Sequence, residues 1–503
     1  MQQSNSEQQQ QKDHFSSEGS PIQVITGYYE NGSKLFENHF NIPENKLVKI
    51  VLYYENEAVK YIGDNFEKDN QNGHGIQYDK EGHKICEGQF TKIGIMDGFA
   101  IQYDKKGNKL YKGDFKKNKK EGKGIEYDGD GNKTYKGDFQ NDVKNGQGLD
   151  YDDDGNLIFK GEYKNNMRNG KGMDYDENGI LRYEGEYSNN LRDGQGSLYG
   201  EKMNLKYKGE FRNDSIEGYG EFYDDFDNLL YEGYFKNGKV HGEGVKYNKY
   251  KNKIYKGEFY EGRIYGEGKE FSENSMIVYE GSFVNGKKEG HGIGYDASGL
   301  KIYDGNWKQN HHNGFGILYF SNGSKEYEGF FKNGVAEGTG IDYYENGVIM
   351  YQGEYLGGNW HGNGTHYYMN GNLMFQGTYK CGLWEGKGIR YYENGAIHYK
   401  GYYKNGLEHG KGKNYHQNGK ISYKGLYYEG KSNGYGVFYT KAGSINYEGD
   451  WVDNKRHGKG IYYDERGNKR YEGYYINEKR EGKGIFFREN GTKEYEGDVW
   501  NGS

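Results

Sequence analysis

Cysteine is nearly absent. Cys86 and Cys381 are the two thiols in 503 residues, and they form no CxxC pair. A disulfide framework is therefore excluded, and a reducing compartment is expected. No stretch approaches the roughly 18 apolar residues that cross a bilayer as a helix. Residues 1–20 are rich in Gln and Ser without an apolar core, so no secretory leader is expected. Gln2 after Met1 offers no myristoylation site, and Asn501-Gly502-Ser503 is no prenylation box. The expected location is cytoplasmic. An excess of one charge is also missing: 68 basic residues face 75 acidic ones, for a net charge of −7. Nucleic-acid binders are usually basic overall, so no nucleic-acid partner is expected. Aliphatic residues are scarce. Hydrophobic content is 33%, much of it aromatic, beside 85 Gly and 2 Pro. Such a composition would ordinarily indicate disorder.

What is present is a period. From Tyr111 to Tyr495 an aromatic-x-Gly triplet returns every 24 residues, 17 times. A Gly-x-Gly pair keeps the same beat from Gly122/Gly124 to Gly482/Gly484, 16 times. A fixed period of this size marks a repeat array, whose units bury apolar surface only against neighbours. The aromatics, 56 Tyr and 24 Phe, supply that burial in place of an aliphatic core.

Counting each unit from its first aromatic, position 1 is Tyr or Phe and position 3 is Gly. Position 5 is aromatic except at Val499. Polar residues fill most of positions 2 and 4, giving the period-2 alternation of a strand. Positions 12 and 14 are Gly, position 15 is often aliphatic, and position 17 is always aromatic. A second strand is expected over roughly positions 12 to 17. Asn-Gly recurs at positions 7–8 (Asn237-Gly238, Asn405-Gly406) and 20–21 (Asn178-Gly179, Asn394-Gly395). Both residues tolerate positive φ, as tight hairpin turns require. The fold class is therefore all-β: an elongated, single-layer antiparallel meander of stacked hairpins. At ~4.8 Å per strand each unit advances about 9.6 Å, so 17 units reach roughly 160 Å.

Two registers compete. Position 1 opposite position 17 gathers the aromatics at 1, 5 and 17 on one face. A two-residue turn at 7–8 instead sets position 1 opposite the glycine at 14. The first is favoured because the buried face fixes register. The second has its own motive, aromatic cover of strand glycines.

Three segments are expected. Residues 1–20 form a disordered tail. Residues 21–110 form a degenerate N-terminal cap, with Cys86 where an aromatic should stand and Gly98-x-Ala100 in place of Gly-x-Gly. Residues 111–503 form the regular array.

The unit Tyr183-Glu184-Gly185-Glu186-Tyr187, followed by Gly194-Gln195-Gly196 and Tyr199, resembles a MORN repeat. Tyr447-Glu448-Gly449-Asp450-Trp451 with His457-Gly458-Lys459-Gly460 and Tyr463 is nearly a consensus copy. The period of 24 is one longer than the commonest family unit. The resemblance implies a scaffold with an aromatic groove. Members occur in ciliary radial spokes, junctophilins, protist cytoskeletal scaffolds and fused to plant phosphatidylinositol-phosphate kinases. It also implies protein scaffolding and phospholipid binding as competing roles.

Catalysis is not expected, because the only clearly non-repeat sequence is some 20 residues long. The Gly-x-Gly pairs open no helix, so the dinucleotide fingerprint fails. No cofactor or metal is expected. His241, His361, His409 and His457 share position 11 but sit too far apart for one zinc. Asp128-Gly129-Asp130-Gly131-Asn132 lacks the later ligands of a calcium loop.

Position 10 runs basic (Lys120, Lys144, Arg168, Arg192), then mostly apolar, then basic again at Arg456 and Arg480. Ile216, Val240, Ile264, Trp360 and Trp384 are the candidate anchors for a protein partner, if they project from one edge. The competing reading folds them back onto the hairpin as packing. Tyr207, Tyr223, Tyr231, Tyr247, Tyr255 and Phe271 are the candidates for the aromatic binding face. Nine lysines lie between Lys105 and Lys123. Of these Lys116, Lys117, Lys119 and Lys120 are the candidates for anionic phospholipid, against a solvated strand edge that discourages aggregation. The expected role is a non-catalytic scaffold or spacer binding a protein partner in a cytoskeletal or ciliary assembly. A peripheral membrane adaptor is the alternative, and exposed sheet edges leave self-association open.

Overall fold

A computed structural model describes residues 10–15, 21–64, 73–92 and 94–500. Among these, every regular element is a β-strand. Two units divide the chain at Lys251/Asn252. Within each, pairing is antiparallel and runs between consecutive strands. Of the expected tail, residues 1–9 and 16–20 lie outside the described residues. Gln10–Phe15 forms a strand paired with Pro21–Tyr28. Pairing also continues through the start of the regular array, with Ile101 opposite Lys112.

Each repeat is one hairpin, and its second strand is longer than expected. Val143–Tyr151, for example, covers positions 9 to 17. At positions 7–8 both turn residues are left-handed: φ is 52° at Asn165 and 67° at Asn166. That is the turn whose twist matches the flanking strands. The turns also tie neighbouring repeats together. Asn166 accepts the Lys144 N–H at 2.7 Å through its side chain and donates its own N–H to the Lys144 carbonyl at 3.0 Å. The other connection is a turn capped by a side chain, the aspartate at position 18 in several repeats and the asparagine at position 20 in others, as where Asn346 Oδ1 accepts the Val348 N–H at 3.0 Å. Asp128 Oδ1 accepts the N–H groups of Asp130 at 2.9 Å and Asn132 at 2.8 Å.

The register is neither of the two expected. Near the 7–8 turn the tight-turn pairing holds, with Phe139 opposite Lys144. A bulge then shifts the ladder, so that Gly137 faces Gly148 and Tyr135 faces Asp150. Position 1 thus lies opposite position 16, and the two glycines at 3 and 14 lie opposite each other. The cause is steric. A Cβ on Gly148 would stand 2.5 Å from the Tyr135 hydroxyl, and one on Gly137 would stand 2.6 Å from the Gly148 Cα. Each position-1 ring lies across a pair of glycines on two adjacent strands. Aromatic cover of glycine is therefore realised, but diagonally rather than by direct pairing.

The cap region carries a natural exception that follows the same rule. Cys86 takes the ring position and Ala100 takes the glycine position. Both are buried, at 2% and 0% exposure. A small side chain in place of the ring leaves room for a methyl where every regular unit needs none.

The core is this ring layer. Tyr183 packs edge-on against Tyr187 at 5.3 Å and against Phe211 of the next unit at 5.1 Å. The same zigzag of position 1 against two position-5 rings recurs through unit 2, as at Tyr351 with Tyr355 and Tyr379. Edge-to-face contacts of this kind contribute about 0.5–1.5 kcal/mol each beyond their buried area.

Candidate functional site

Positions 1, 5, 10 and 16 share one face. Position 1 is sealed there: Tyr207 is buried at 1% exposure, Tyr255 at 2%, and Tyr231 is buried as well. Its hydroxyl is used internally, as in Tyr351 donating to the Glu354 carbonyl at 3.1 Å. Position 10 lies over the ring. Trp360 stacks on Tyr351 at 4.4 Å and 8°, and Trp384 on Phe375 at 4.5 Å and 10°. The Trp360 indole N–H also donates to Asp342 at 2.7 Å. Ile216, Val240 and Ile264 are half-buried, opposite the position-5 rings Phe211, Phe235 and Phe259. The expected projecting anchors are thus lids on the ring layer. The expectation fails because the tight pairing of 5 with 10 turns position 10 toward the rings.

The basic stripe is not a free stripe either. Lys144 lies 4.1 Å above the Tyr135 ring and Arg168 4.1 Å above Phe159. Arg168 bridges Asp150 at 3.2 Å and Asp174 at 3.1 Å, and Arg192 reaches Asp174 at 3.2 Å. Lys120 meets Glu126 at 2.6 Å. The acids stand at position 16, which is variable and often charged in the sequence. Their pairing with the cations of position 10 was missed for want of the register.

Position 17 points to the other face. Among the aromatic candidates, Tyr223, Tyr247 and Phe271 therefore part from Tyr207, Tyr231 and Tyr255. The Tyr247 hydroxyl donates to Glu232 at position 2, at 2.6 Å, and Tyr463 does the same to Glu448 at 2.6 Å. Tyr223 donates instead to Glu221 on its own strand, and burial first, then that contact, push its hydroxyl pKa up to about 12. Positions 2, 4, 13 and 15 complete the second face. It carries open grooves over the glycine backbone, such as one in unit 2 lined by Tyr435, Ile461, Tyr474 and Ile485. Large rings stand exposed there: Phe330 at 50%, Tyr402 at 43% and Tyr435 at 56%. Cross-strand pairs at positions 13 and 4 bring some together, as Phe315 with Phe330 at 5.8 Å.

The 24-residue hairpin matches known repeats over most of its length. Ten stretches match the MORN repeat: 111–133, 159–173, 183–202, 207–225, 231–248, 279–300, 303–325, 423–445, 447–469 and 471–493. Six match the MORN repeat variant: 144–165, 168–189, 336–356, 360–380, 384–405 and 408–428. The chain belongs to the MORN-repeat family. Repeats of this family mediate protein and membrane-lipid interactions. No curated protein matches the chain. Two solved structures, "Crystal Structure of TcdB2-TccC3-Cdc42" and "Crystal Structure of TcdB2-TccC3", align over 97% and 98% of it, at 11% and 10% identity. The chain spans 31% of each, with TM-scores of 0.13 and 0.14.

In this MORN array the lysine candidates separate. Lys116, Lys117 and Lys119 are exposed around a hairpin tip, whereas Lys120 is half-buried and ion-paired. Position 11 is a tying residue. Glu385 there accepts the Asn405 N–H at 3.0 Å, and His409 at the same position leans on Tyr428 at 5.4 Å. One cluster not singled out in the sequence joins Asp79, Glu81 and His83, whose ligand atoms converge within 4.8 Å. The Asp79 carboxylate accepts N–H groups of Glu81 at 3.0 Å and His83 at 2.8 Å, so the cluster is a capped turn.

Proposed function

We propose that this MORN array is a non-catalytic scaffold that binds protein partners on the face carrying positions 2, 4, 13 and 15. One observation carries the reading. The two faces differ in degree: one buries most of its position-1 and position-5 rings under glycines and lids and exposes rings such as Phe222 and Phe438 at position 16, whereas the other keeps exposed rings over open grooves. Exposed aromatics in shallow grooves are the usual anchors of protein interfaces. A cytoskeletal or ciliary assembly is the proposed setting.

The test is crosslinking of the tagged full chain in its native cells, followed by fractionation in detergent. Partner proteins should be recovered, in an insoluble cytoskeletal fraction. Phe330→Ser/Tyr402→Ser/Tyr435→Ser should lose them with circular dichroism unchanged. Recovery undiminished in that variant would overturn the face assignment, and recovery of no partner would overturn the scaffold.

A second reading rests on Lys116, Lys117 and Lys119. Three exposed lysines at one tip would meet an anionic membrane surface at about 1 kcal/mol each. Sedimentation with phosphatidylserine vesicles at low salt tests it, and absence of binding ends it.

A further inference from the structure

On the second face of unit 1 the register aligns one row straight across five strands. Lys112 pairs with Ile125, Ile125 with Lys136, Lys136 with Leu149, and Leu149 with Lys160. The row reads cation, aliphatic, cation, aliphatic, cation. At ~4.8 Å per strand the lysines repeat about every 9.6 Å and the row spans roughly 19 Å.

The row lies in a groove of about 370 Å³, closed at one end by Phe99, and no carboxylate lines it. Lys136 and Lys160 are exposed and have no ion-pair partner among the described residues. Lys112 lies near the Phe99 ring at 5.8 Å. The nearby acids of position 4 are already engaged. Asp138 accepts the Gln147 N–H at 2.9 Å and holds Lys123 at 2.8 Å, and Asp114 accepts the Lys123 N–H at 3.3 Å. The arrangement is not general to the array. The next groove along unit 1 includes Glu162, Glu184 and Glu186. One stretch of the same row in unit 2 reads Glu280, Ile293, Asp304, Ile317, Glu328, and another reads Lys400, Lys413, Lys424, with no aliphatic residue between the cations. In the first, Asp304 and Glu328 are partnered by Lys301 and Lys325.

We infer that the Lys112–Lys136–Lys160 row docks an acidic amphipathic helix of a protein partner, lying across the strands. The spacing selects it. Carboxylates seven residues apart on a helix rise about 10.5 Å, close to the lysine repeat, and apolar residues three or four positions on rise about 4.5–6 Å. Those apolar residues would meet Ile125 and Leu149 while the carboxylates meet the lysines. Helix-in-groove recognition of this kind uses one apolar stripe and flanking charge. The inference rests on the scaffold reading and names the chemistry of one partner.

The probe is a synthetic helical peptide with Glu at i, i+7 and i+14 and Leu at i+3, i+4, i+10 and i+11. Its binding to the full chain is read by fluorescence anisotropy. Binding should weaken as salt rises, and it should fall at least tenfold in Lys112→Glu/Lys136→Glu/Lys160→Glu. A peptide with Lys in place of Glu should bind that variant in preference to the native chain. The milder Lys136→Ala/Lys160→Ala guards against a folding defect and should show the same direction. Equal affinity for the native chain and both variants, or for a scrambled peptide, would overturn the inference. So would vesicles of phosphatidylserine sedimenting the native chain, but not the triple variant, while the peptide fails to bind. If every partner crosslinked to the native chain persists in the triple variant, the row falls and the scaffold stands. If the native chain recovers no partner, the scaffold falls.

Discussion

Adding one methyl at Gly364 tests the ring-over-glycine rule directly. A Cβ there would reach 2.5 Å from the nearer edge carbon of the Tyr351 ring and 2.6 Å from its Cζ, with Gly353 opposite. Tyr351 has no room to retreat: its exposure is 0%, Trp360 stacks on it, and Tyr355 and Tyr379 meet it edge-on. Gly364→Ala should therefore cost about 1–3 kcal/mol, the range of overpacking in a filled core. Tyr351→Ala should cost about 3–5 kcal/mol, as for other large buried rings. The decisive quantity is their coupling. With the ring gone, its clash with the added methyl disappears, and alanine is favoured over glycine in a strand by about 0.5–1 kcal/mol. Gly364→Ala should thus change sign in the Tyr351→Ala background, a coupling well above the scatter for independent sites. Urea unfolding measures the cycle, and hydrogen exchange in Ile349–Leu356 and Asn359–Tyr367 localises it. An equal cost in both backgrounds would refute the ring-over-glycine account.

Other outcomes follow from the same geometry. Cys86→Phe alone should destabilise by overpacking, and Ala100→Gly should relieve it; independent effects in thermal melts would contradict the steric link. Trp384→Ser should lower stability by about 2–3 kcal/mol, less than the 3–5 kcal/mol of a fully buried Trp, and an unchanged melt would restore it as a free anchor. His312 is stacked on Tyr303 at 3.6 Å, and burial first, then Lys288 and His311, lowers its pKa to about 4. Its neutral form is the folded one, so its stabilisation is complete above about 6.5 and is lost as pH falls from there toward 4. His312→Phe should flatten that part of the stability profile, and equal pH slopes would count against it. Arg168→Ala should cost about 0.5–1.5 kcal/mol, because Asp150 keeps Lys144 and Asp174 keeps Arg192, which thermal melts at low and high salt would show.

Much of the fold was legible because period-2 alternation and turn chemistry are local. The hairpins, both turns and the all-strand content follow from positions 1–5, 7–8 and 20–21 alone. The register was not legible, because it is set by a bulge between Gly137 and Phe139 and by a glycine pair that meet only in space. That one step misassigned position 17: Tyr247 looked like a partner of Tyr231 but sits on the opposite face, bonded to Glu232. It also hid the row of Lys112, Lys136 and Lys160, which share position 2 in three successive units yet gain meaning only with Ile125 and Leu149 between them. Position 10 was noticed for its pattern, and whether Trp360 projects or folds back depended on the same pairing.

Hydroxyl-radical footprinting read residue by residue tests the division of faces most directly. Tyr351, Tyr399 and Tyr447 should stay protected in the native chain, while Tyr402, Tyr435 and Tyr474 should be modified rapidly. Comparable modification of both sets, or protection of the second and exposure of the first, would contradict it.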